Sequence, residues 1–302
     1  MTADGTTHVL FLGLGAMGGP MSGRLVAAGH EVTAFDLDQQ RTAALAAETG
    51  VTAVEATGLA GAASTADVVL LMLPDSRAVE SVLLGPEGLL RALRPGSTVL
   101  DMGSSRPAST QALAATADEL GVRLVDAPVS GGVAKAVTGE LAVMAGGRAE
   151  DVDRLRPLLA VLGTVTHVGP AGAGHAMKAL NNLLSAIGLA AASEVLSVGA
   201  SFGLEPSVML QVLNGSTGRN HATEVKMARF VLSRSFDSGF ALQLMVKDLR
   251  TALELAHDTR TPVPLSAGCL EQWTAAQRDL PDGADHTSIA AYVEARSGVE
   301  LR

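Results

Sequence analysis

Residues Val9-Leu10-Phe11-Leu12 run directly into Gly13-Leu14-Gly15-Ala16-Met17-Gly18, and a helix-period stretch follows through Ala28. An aliphatic strand, a G-x-G-x-x-G turn and a helix, in that order, constrain the fold more than anything else in the chain. Gly13 allows the tight turn, Gly15 lets backbone approach a pyrophosphate, and Gly18 permits close packing of helix on strand. The helix N-terminus offers amide donors and the positive end of a dipole to an anion. A second strand ends at Asp36, 18 residues past Gly18, where a carboxylate can accept hydrogen bonds from ribose hydroxyls. Together these features predict a dinucleotide site made by Gly13, Leu14, Gly15, Ala16, Met17, Gly18 and Asp36. Asp36 repels a 2′-phosphate and so favours NAD. Arg41, five residues on, keeps NADP open, although beside Asp38 it reads as a solvated helix charge.

Seven short aliphatic runs read as strands: His8–Gly13, Glu31–Asp36, Asp67–Leu73, Ser97–Asp101, Arg123–Asp126, Leu141–Ala145 and Thr164–Val168. They alternate with Ala-rich, helix-period segments, the signature of βαβ units and a mainly parallel sheet. From Gly172 onward the strand runs stop and the chain reads as helices: a long apolar one to about Ser201, then Pro206–Leu213, Thr223–Leu232, Leu242–His257, Pro264–Gln277 and Ser288–Ala295. The expected architecture is α/β: a Rossmann-type doubly wound parallel sheet over residues 1–169. An all-helical substrate and oligomerisation domain over 170–302 follows, joined through the long helix. The joint is the Gly-rich run Gly169-Pro170-Ala171-Gly172-Ala173-Gly174.

Composition narrows the partners. With 22 basic against 31 acidic residues the net charge is -9, which argues against a phosphate-backbone binder and against an anionic membrane surface. The expected partner is a small carboxylate substrate, with no nucleic acid and no membrane. The single Cys269 allows no intramolecular disulfide, and the seven histidines show no metal-ligand spacing. The N-terminus lacks the basic region of a signal peptide, so a cytoplasmic protein is expected. Leu183–Leu204 carries Glu194 and four serines, and reads as a helix buried in protein rather than a membrane span. Its apolar surface needs covering, which predicts a homodimer or homotetramer packed through residues after Gly172. Only four basic residues are lysines, Lys135, Lys178, Lys226 and Lys247. Lysine can titrate where arginine cannot, so each is worth locating.

Two further groups carry chemistry. Asp126-Ala127-Pro128-Val129-Ser130-Gly131-Gly132 follows the end of a strand, at the sheet edge where ligands of such folds sit. Its Ser-Gly-Gly turn can cradle a carboxylate, or be an ordinary strand-end turn. Lys178 and Asn182 stand four residues apart in an otherwise apolar helical stretch and project from one face. A lysine there needs a partner or a task, and desolvation suits it to proton transfer. Beside a nucleotide loop, that points to hydride transfer. Lys247-Asp248, seven residues after Phe240, read on their own as a surface ion pair.

From His8 to about Ala295 the chain resembles the β-hydroxyacid dehydrogenase family, which includes 3-hydroxyisobutyrate dehydrogenase, tartronate semialdehyde reductase and the glyoxylate and succinic semialdehyde reductases. Four blocks in the family's order carry the likeness: Gly13–Met21, Asp126–Gly132, Gly169–Asn182 and Lys247–Leu249. The resemblance implies that Lys178 is the catalytic lysine and Asn182 the substrate-orienting asparagine. It implies that Ser130, Gly131 and Gly132 hold the substrate carboxylate, with Phe240 and Asp248 beside the substrate. Leu73, Pro74, Ser104 and Lys247 match cofactor contacts; Gly103-Ser104-Ser105 stands where the family more often reads Ser-Thr-x, with the hydroxyl kept. The implied activity is reversible hydride transfer between NAD, or NADP, and a small 3-hydroxy acid, 3-hydroxyisobutyrate first. The alternatives are NADPH-linked reduction of tartronate semialdehyde, glyoxylate or succinic semialdehyde, an imine reductase-like member and a non-catalytic one.

Overall fold

In the computed structural model, which describes residues 6–302, β1 (His8–Leu12) is an interior strand of a nine-stranded sheet, third from one edge. It pairs in parallel with β2 (Glu31–Phe35) on one side and β4 (Val68–Leu71) on the other. β3 (Thr52–Ala53) extends the β2 side; β5 (Thr98–Asp101) and β6 (Arg123–Asp126) extend the β4 side, all in parallel. The chain thus reverses its direction of winding at β1, the switch point where open sheets of this kind bind ligands. β8 (Leu141–Gly146) turns antiparallel to β6 and to β7 (Val129–Ser130), and β9 (Gly163–Gly169) runs parallel to β8. β3 and β7 lie outside the runs read as strands, because two residues are too few to show a period.

The alternation of β1 sorts the core into two layers. Val9 and Phe11 pack with Met21 and Leu25 of α1 (Gly18–Ala27) and with Leu155, Leu158 and Leu159 of α7 (Ala149–Ala160). Leu10 and Leu12 pack on the opposite face with Val79 and Leu83 of α4 (Ser76–Leu84) and Leu113 of α5 (Pro107–Glu119). Both faces of the strand are therefore apolar, as a doubly covered parallel sheet requires. Of the remaining helices, α2 (Gln39–Thr49) and α3 (Leu59–Thr65) lie in crossovers between parallel strands, and α6 (Gly132–Thr138) joins β7 to its antiparallel neighbour β8.

α8 (Ala173–Phe202) is a single helix of 30 residues. Its most apolar stretch is long and hydrophobic enough to cross a membrane by composition, with mean hydropathy 1.7, and half of it is buried in protein. By contacts the chain divides within α8, into a unit ending at Lys178 and a unit Ala179–Arg302. The second unit adds α9 (Pro206–Asn214), α10 (Leu242–Asp258), α11 (Pro264–Asp279) and α12 (Ile289–Ser297). Trp273, fully buried, packs with Val246, Leu249 and Ile289 in its core. The segment read as an ordinary helix over Thr223–Leu232 is π-wound, Ala222–Leu232. Its buried residues Ala222, Thr223, Lys226, Met227 and Val231 recur every four or five positions, which suits that wider turn.

Candidate active site

The glycine loop follows β1 at the carboxyl edge of the sheet. A Cβ on Gly13, whose φ is +94°, would stand 2.4 Å from the Met72 carbonyl oxygen, and one on Gly18 would stand 1.9 Å from that of Gly13. Both glycines are therefore demanded by the chain's own packing. Gly15 differs: a Cβ there would meet nothing within 4 Å, so the protein alone gives no reason for a glycine. Open space over Gly15, beside the start of α1, is what a pyrophosphate would fill. No acidic residue lies in the first turn of α1, and its N-cap residue Met17 makes no side-chain capping bond. The loop residues thus fit a dinucleotide. Asp36, one residue past β2, accepts the Leu14 amide at 2.7 Å and the Asp38 amide at 2.9 Å, which sets its carboxylate beside the loop. The Arg41 guanidinium sits 3.4 Å from both Asp36 and Asp38, so it is drawn to two carboxylates.

The neighbouring strand ends bring the other candidates to this edge. Leu73 and Pro74 follow β4, and Ser104 follows β5; a Cβ on Gly103 would lie 2.6 Å from the Leu73 carbonyl oxygen, so these two loops touch. Ser130 sits in β7, paired opposite Ala142, rather than in a free turn. Gly131 and Gly132 follow it with φ of +135° and +70°, conformations that β-carbons resist. The aliphatic stem of Lys135 lies against Gly131, and Lys135 itself is exposed.

Sequence reading gave Asp126 no individual role, yet it fixes the start of α8. Fully buried at the end of β6, it accepts the Gly172 amide at 2.7 Å and the His175 amide at 2.8 Å. Burial pushes its carboxyl above the ordinary range, against the pull of His175 and of those two amides. The His175 ring is held by the Thr110 hydroxyl at 2.8 Å, with Asp101 at 3.7 Å from Nε2. Three residues beyond His175, partly buried, is Lys178. The signal available in the sequence was Asp126 itself, an acid ending an aliphatic strand.

In the second unit, Asn182 is 7% exposed and donates from Nδ2 to Asp248 Oδ2 at 2.5 Å, while its Oδ1 accepts from Asn181 at 3.2 Å. An amide has two donors and two acceptor sites, so one of each is left for a ligand. Asp248 Oδ1 lies 3.2 Å from the Lys247 ammonium. Asp248 is only 2% exposed, so this pair is not the surface ion pair its sequence suggested. α10 is strongly amphipathic and turns Asp248 inward with Met245 and Leu249. Phe240 precedes α10 and meets the His286 ring edge-on at 5.6 Å. Lys226, for which the sequence offered no role, is buried and donates to Ser185 at 3.0 Å.

A parallel sheet wound about a glycine loop, with a lysine and an asparagine one turn apart on the following helix, defines an NAD(P)-binding oxidoreductase. Residues 8–169 match the family described as NAD binding domain of 6-phosphogluconate dehydrogenase. Residues 172–293 match NAD-binding of NADP-dependent 3-hydroxyisobutyrate dehydrogenase. The 2-(hydroxymethyl)glutarate dehydrogenase of Eubacterium barkeri is 42% identical over 96% of this chain and 96% of its own length. The 3-hydroxyisobutyrate dehydrogenase of Pseudomonas aeruginosa is 37% identical over 94% of this chain and 97% of its own. Among solved structures, Mycobacterium tuberculosis 3-hydroxyisobutyrate dehydrogenase, described with L-serine, aligns with a TM-score of 0.87 and 31% identity, covering 95% of this chain and 99% of that one. The chain belongs to the β-hydroxyacid dehydrogenase family and is an NAD(P)-dependent dehydrogenase acting on a hydroxyl group.

Proposed function

We propose that the protein oxidises, reversibly, the primary alcohol of a 3-hydroxypropanoate substituted at C2, with NAD as its preferred dinucleotide. The Lys178 and Asn182 pair on one face of α8, with Asn182 held by Asp248, is the observation that carries this reading. The compounds named with the similar proteins support it. 3-Hydroxyisobutyrate, L-serine and 2-(hydroxymethyl)glutarate all carry a carboxylate and a CH2OH on one carbon and differ only in its third group.

Ser130 and the amides of Gly131 and Gly132 hold the shared carboxylate. Asn182 orients the hydroxyl, and Lys178 takes its proton at Nζ as the C–H hydride leaves and the carbonyl forms; in reduction the lysine returns the proton. The bound nicotinamide supplies the hydride acceptor. Asp36 favours NAD because a 2′-phosphate would meet its charge.

Absorbance at 340 nm tests the reading, with NAD and NADP each offered 3-hydroxyisobutyrate, L-serine and 2-(hydroxymethyl)glutarate, and with tartronate semialdehyde, glyoxylate and succinic semialdehyde in reverse. Turnover of one or more hydroxy acids, faster with NAD, is expected. No turnover of any acid, together with NADPH-dependent reduction of a cyclic imine, would replace it. We further propose a homodimer or homotetramer, because Leu184, Val198 and Phe202 on α8 are 72%, 71% and 84% exposed and Val208 and Val212 on α9 extend that apolar surface. A monomer by light scattering at micromolar concentration would overturn this.

A further inference from the structure

The His175 imidazole is fully buried at the start of α8, and only one of its two nitrogens is used. Nδ1 meets the Thr110 hydroxyl of α5 at 2.8 Å. Nε2 has no hydrogen-bond partner among the described residues, and Asp101 Oδ2 stands 3.7 Å from it, beyond bonding distance. A polar atom sealed from water without a partner has given up its hydration for no return, and native proteins keep few of them. An apolar side chain would fill the same place without that cost, so packing alone does not account for a histidine here.

Asp101 and Asp126 are register partners at the ends of the adjacent parallel strands β5 and β6. Each governs one segment of the site. Asp101, 2% exposed, accepts from the Gly103 amide at 2.9 Å and the Ser105 hydroxyl at 2.8 Å. It thereby fixes the loop whose middle residue, Ser104, the family resemblance sets against the dinucleotide. Asp126 fixes the start of α8 through the Gly172 and His175 amides, and its Oδ2 lies 3.6 Å from His175 Nδ1. Lys178 follows His175 by three residues, about one helical turn. The ring therefore stands between the carboxylate that holds the nucleotide loop and the carboxylate that holds the helix of the lysine.

We propose that His175 is a positioning residue that couples an occupied dinucleotide site to Lys178. This deepens the function proposed above and rests on it. The Thr110 hydroxyl donates to Nδ1, its shorter contact, in preference to the Arg106 carbonyl at 3.2 Å. The neutral ring then carries its proton on Nε2 and turns a donor toward Asp101. When a dinucleotide engages the loop at Ser104, Asp101 and the ring close their gap, and Nε2–H donates to the carboxylate in a charge-assisted bond. The loop and the first turn of α8 are then tied together, and Lys178 is held where it takes the substrate proton.

Two amide variants of the full chain separate the ring's two nitrogens. His175→Gln sets an amide nitrogen near the place of Nε2 and keeps a donor toward Asp101; His175→Asn sets its amide near Nδ1, keeps the Thr110 bond and lacks that donor. His175→Asn should lower kcat about 10-fold, the loss of one charge-assisted bond, with the KM of the hydroxy acid little changed, and His175→Gln should restore most of it. Hydrogen exchange gives a readout free of turnover. Saturating NAD should slow exchange of the Gly172 and His175 amides in the wild type and in His175→Gln by about 10-fold, the same single bond, and leave them unchanged in His175→Asn with NAD bound. Equal kcat in the two variants, or equal protection by NAD in His175→Asn and the wild type, would overturn the coupling while leaving the dehydrogenase reading standing. So would a wild type whose amides NAD does not protect. No turnover of any hydroxy acid by the wild type would overturn both. Should His175→Asn fail to fold, Thr110→Val decides: it frees the ring at Nδ1 and should abolish the protection by NAD, and protection that persists refutes the coupling.

Discussion

The glycine loop after β1 and the polar face of α8 beyond Lys178 both prepare a site, by opposite means. The loop is shaped by what is missing: at Gly13 and Gly18 one added carbon would collide with a backbone carbonyl, and at Gly15 it would project into open space. The α8 face is shaped by what is paired: Asn182 reaches Asp248 across 66 positions of sequence, and Ser185 reaches Lys226 across 41. The first site is held by local backbone geometry and keeps its form while side chains change. The second holds only as long as each partner is present, so it is where specificity can be altered without disturbing the fold.

The largest expected effect lies at the residue that follows the Asp126 tie and precedes the paired face. Lys178→Ala should lower kcat by about 10²–10⁴, the range for losing a positioned general acid or base. Lys178→Arg should fail nearly as badly, since a guanidinium keeps the charge and cannot release a proton. Full activity in either purified variant would mean that chemistry is not shared between this lysine and the Asn182 face at all. The loop is broken next. Gly15→Ala should fold with an unchanged melting temperature and weaken NAD about 100-fold by fluorescence titration, as backbone approach to the pyrophosphate is lost. Gly18→Ala should instead lose soluble protein, because its Cβ would stand 1.9 Å from the Gly13 carbonyl oxygen. Equal behaviour of the two glycine variants would remove the distinction between a glycine kept for the fold and one kept for a ligand.

On the paired face the effect is smaller. Asp248→Asn should lower kcat/KM about 10-fold, because the oxygen that accepts from the Asn182 amide loses its charge and the bond its charge assistance. Melting temperature should move little compared with Gly18→Ala. A kcat/KM equal to that of the wild type would show that the negative charge of Asp248 is not what orients Asn182.

These two regions also differ in how they could be read from the chain. Gly13, Gly15, Gly18 and Asp36 declare themselves because strand, turn and helix are contiguous and the glycines fall at fixed spacing between them. The seven main strands show in the same way, through periods carried by four or more residues. β7 does not, so Ser130 reads as a turn residue although it pairs with β8. Asp248 looks like a surface acid beside Lys247, since nothing near it in sequence shows that α10 turns it inward. Lys226 was silent for a related reason: its segment reads as a helix, but a π-wound turn carries its buried residues at a spacing from which the α-helical period does not sort out the buried face.

The smallest effect contrasts two aspartates that do similar work, one in each unit. Asp126 accepts two backbone amides in full burial, and burial prevails: its carboxyl lies above the ordinary range. Asp285 is also pushed up by burial, but bonds from His286 and Thr287 outweigh that and hold it well below the range. The number of donors, set against desolvation, decides the direction. The signs for stability follow. Asp285, depressed in the fold, contributes stability that is present above the unfolded value near pH 4 and is lost as the pH falls below it. Asp126, raised in the fold, favours the native state most below that value and less as its proton is removed with rising pH. Asp285→Asn should therefore melt below the wild type at pH 6, by about 2–4 °C if ~1 kcal/mol survives screening by solvent, and the gap should close toward pH 3. Asp126→Asn should show no such closing, since its loss is an acceptor for the Gly172 or His175 amide at any pH. Parallel pH profiles for the two variants would show that donor number does not separate these two carboxylates.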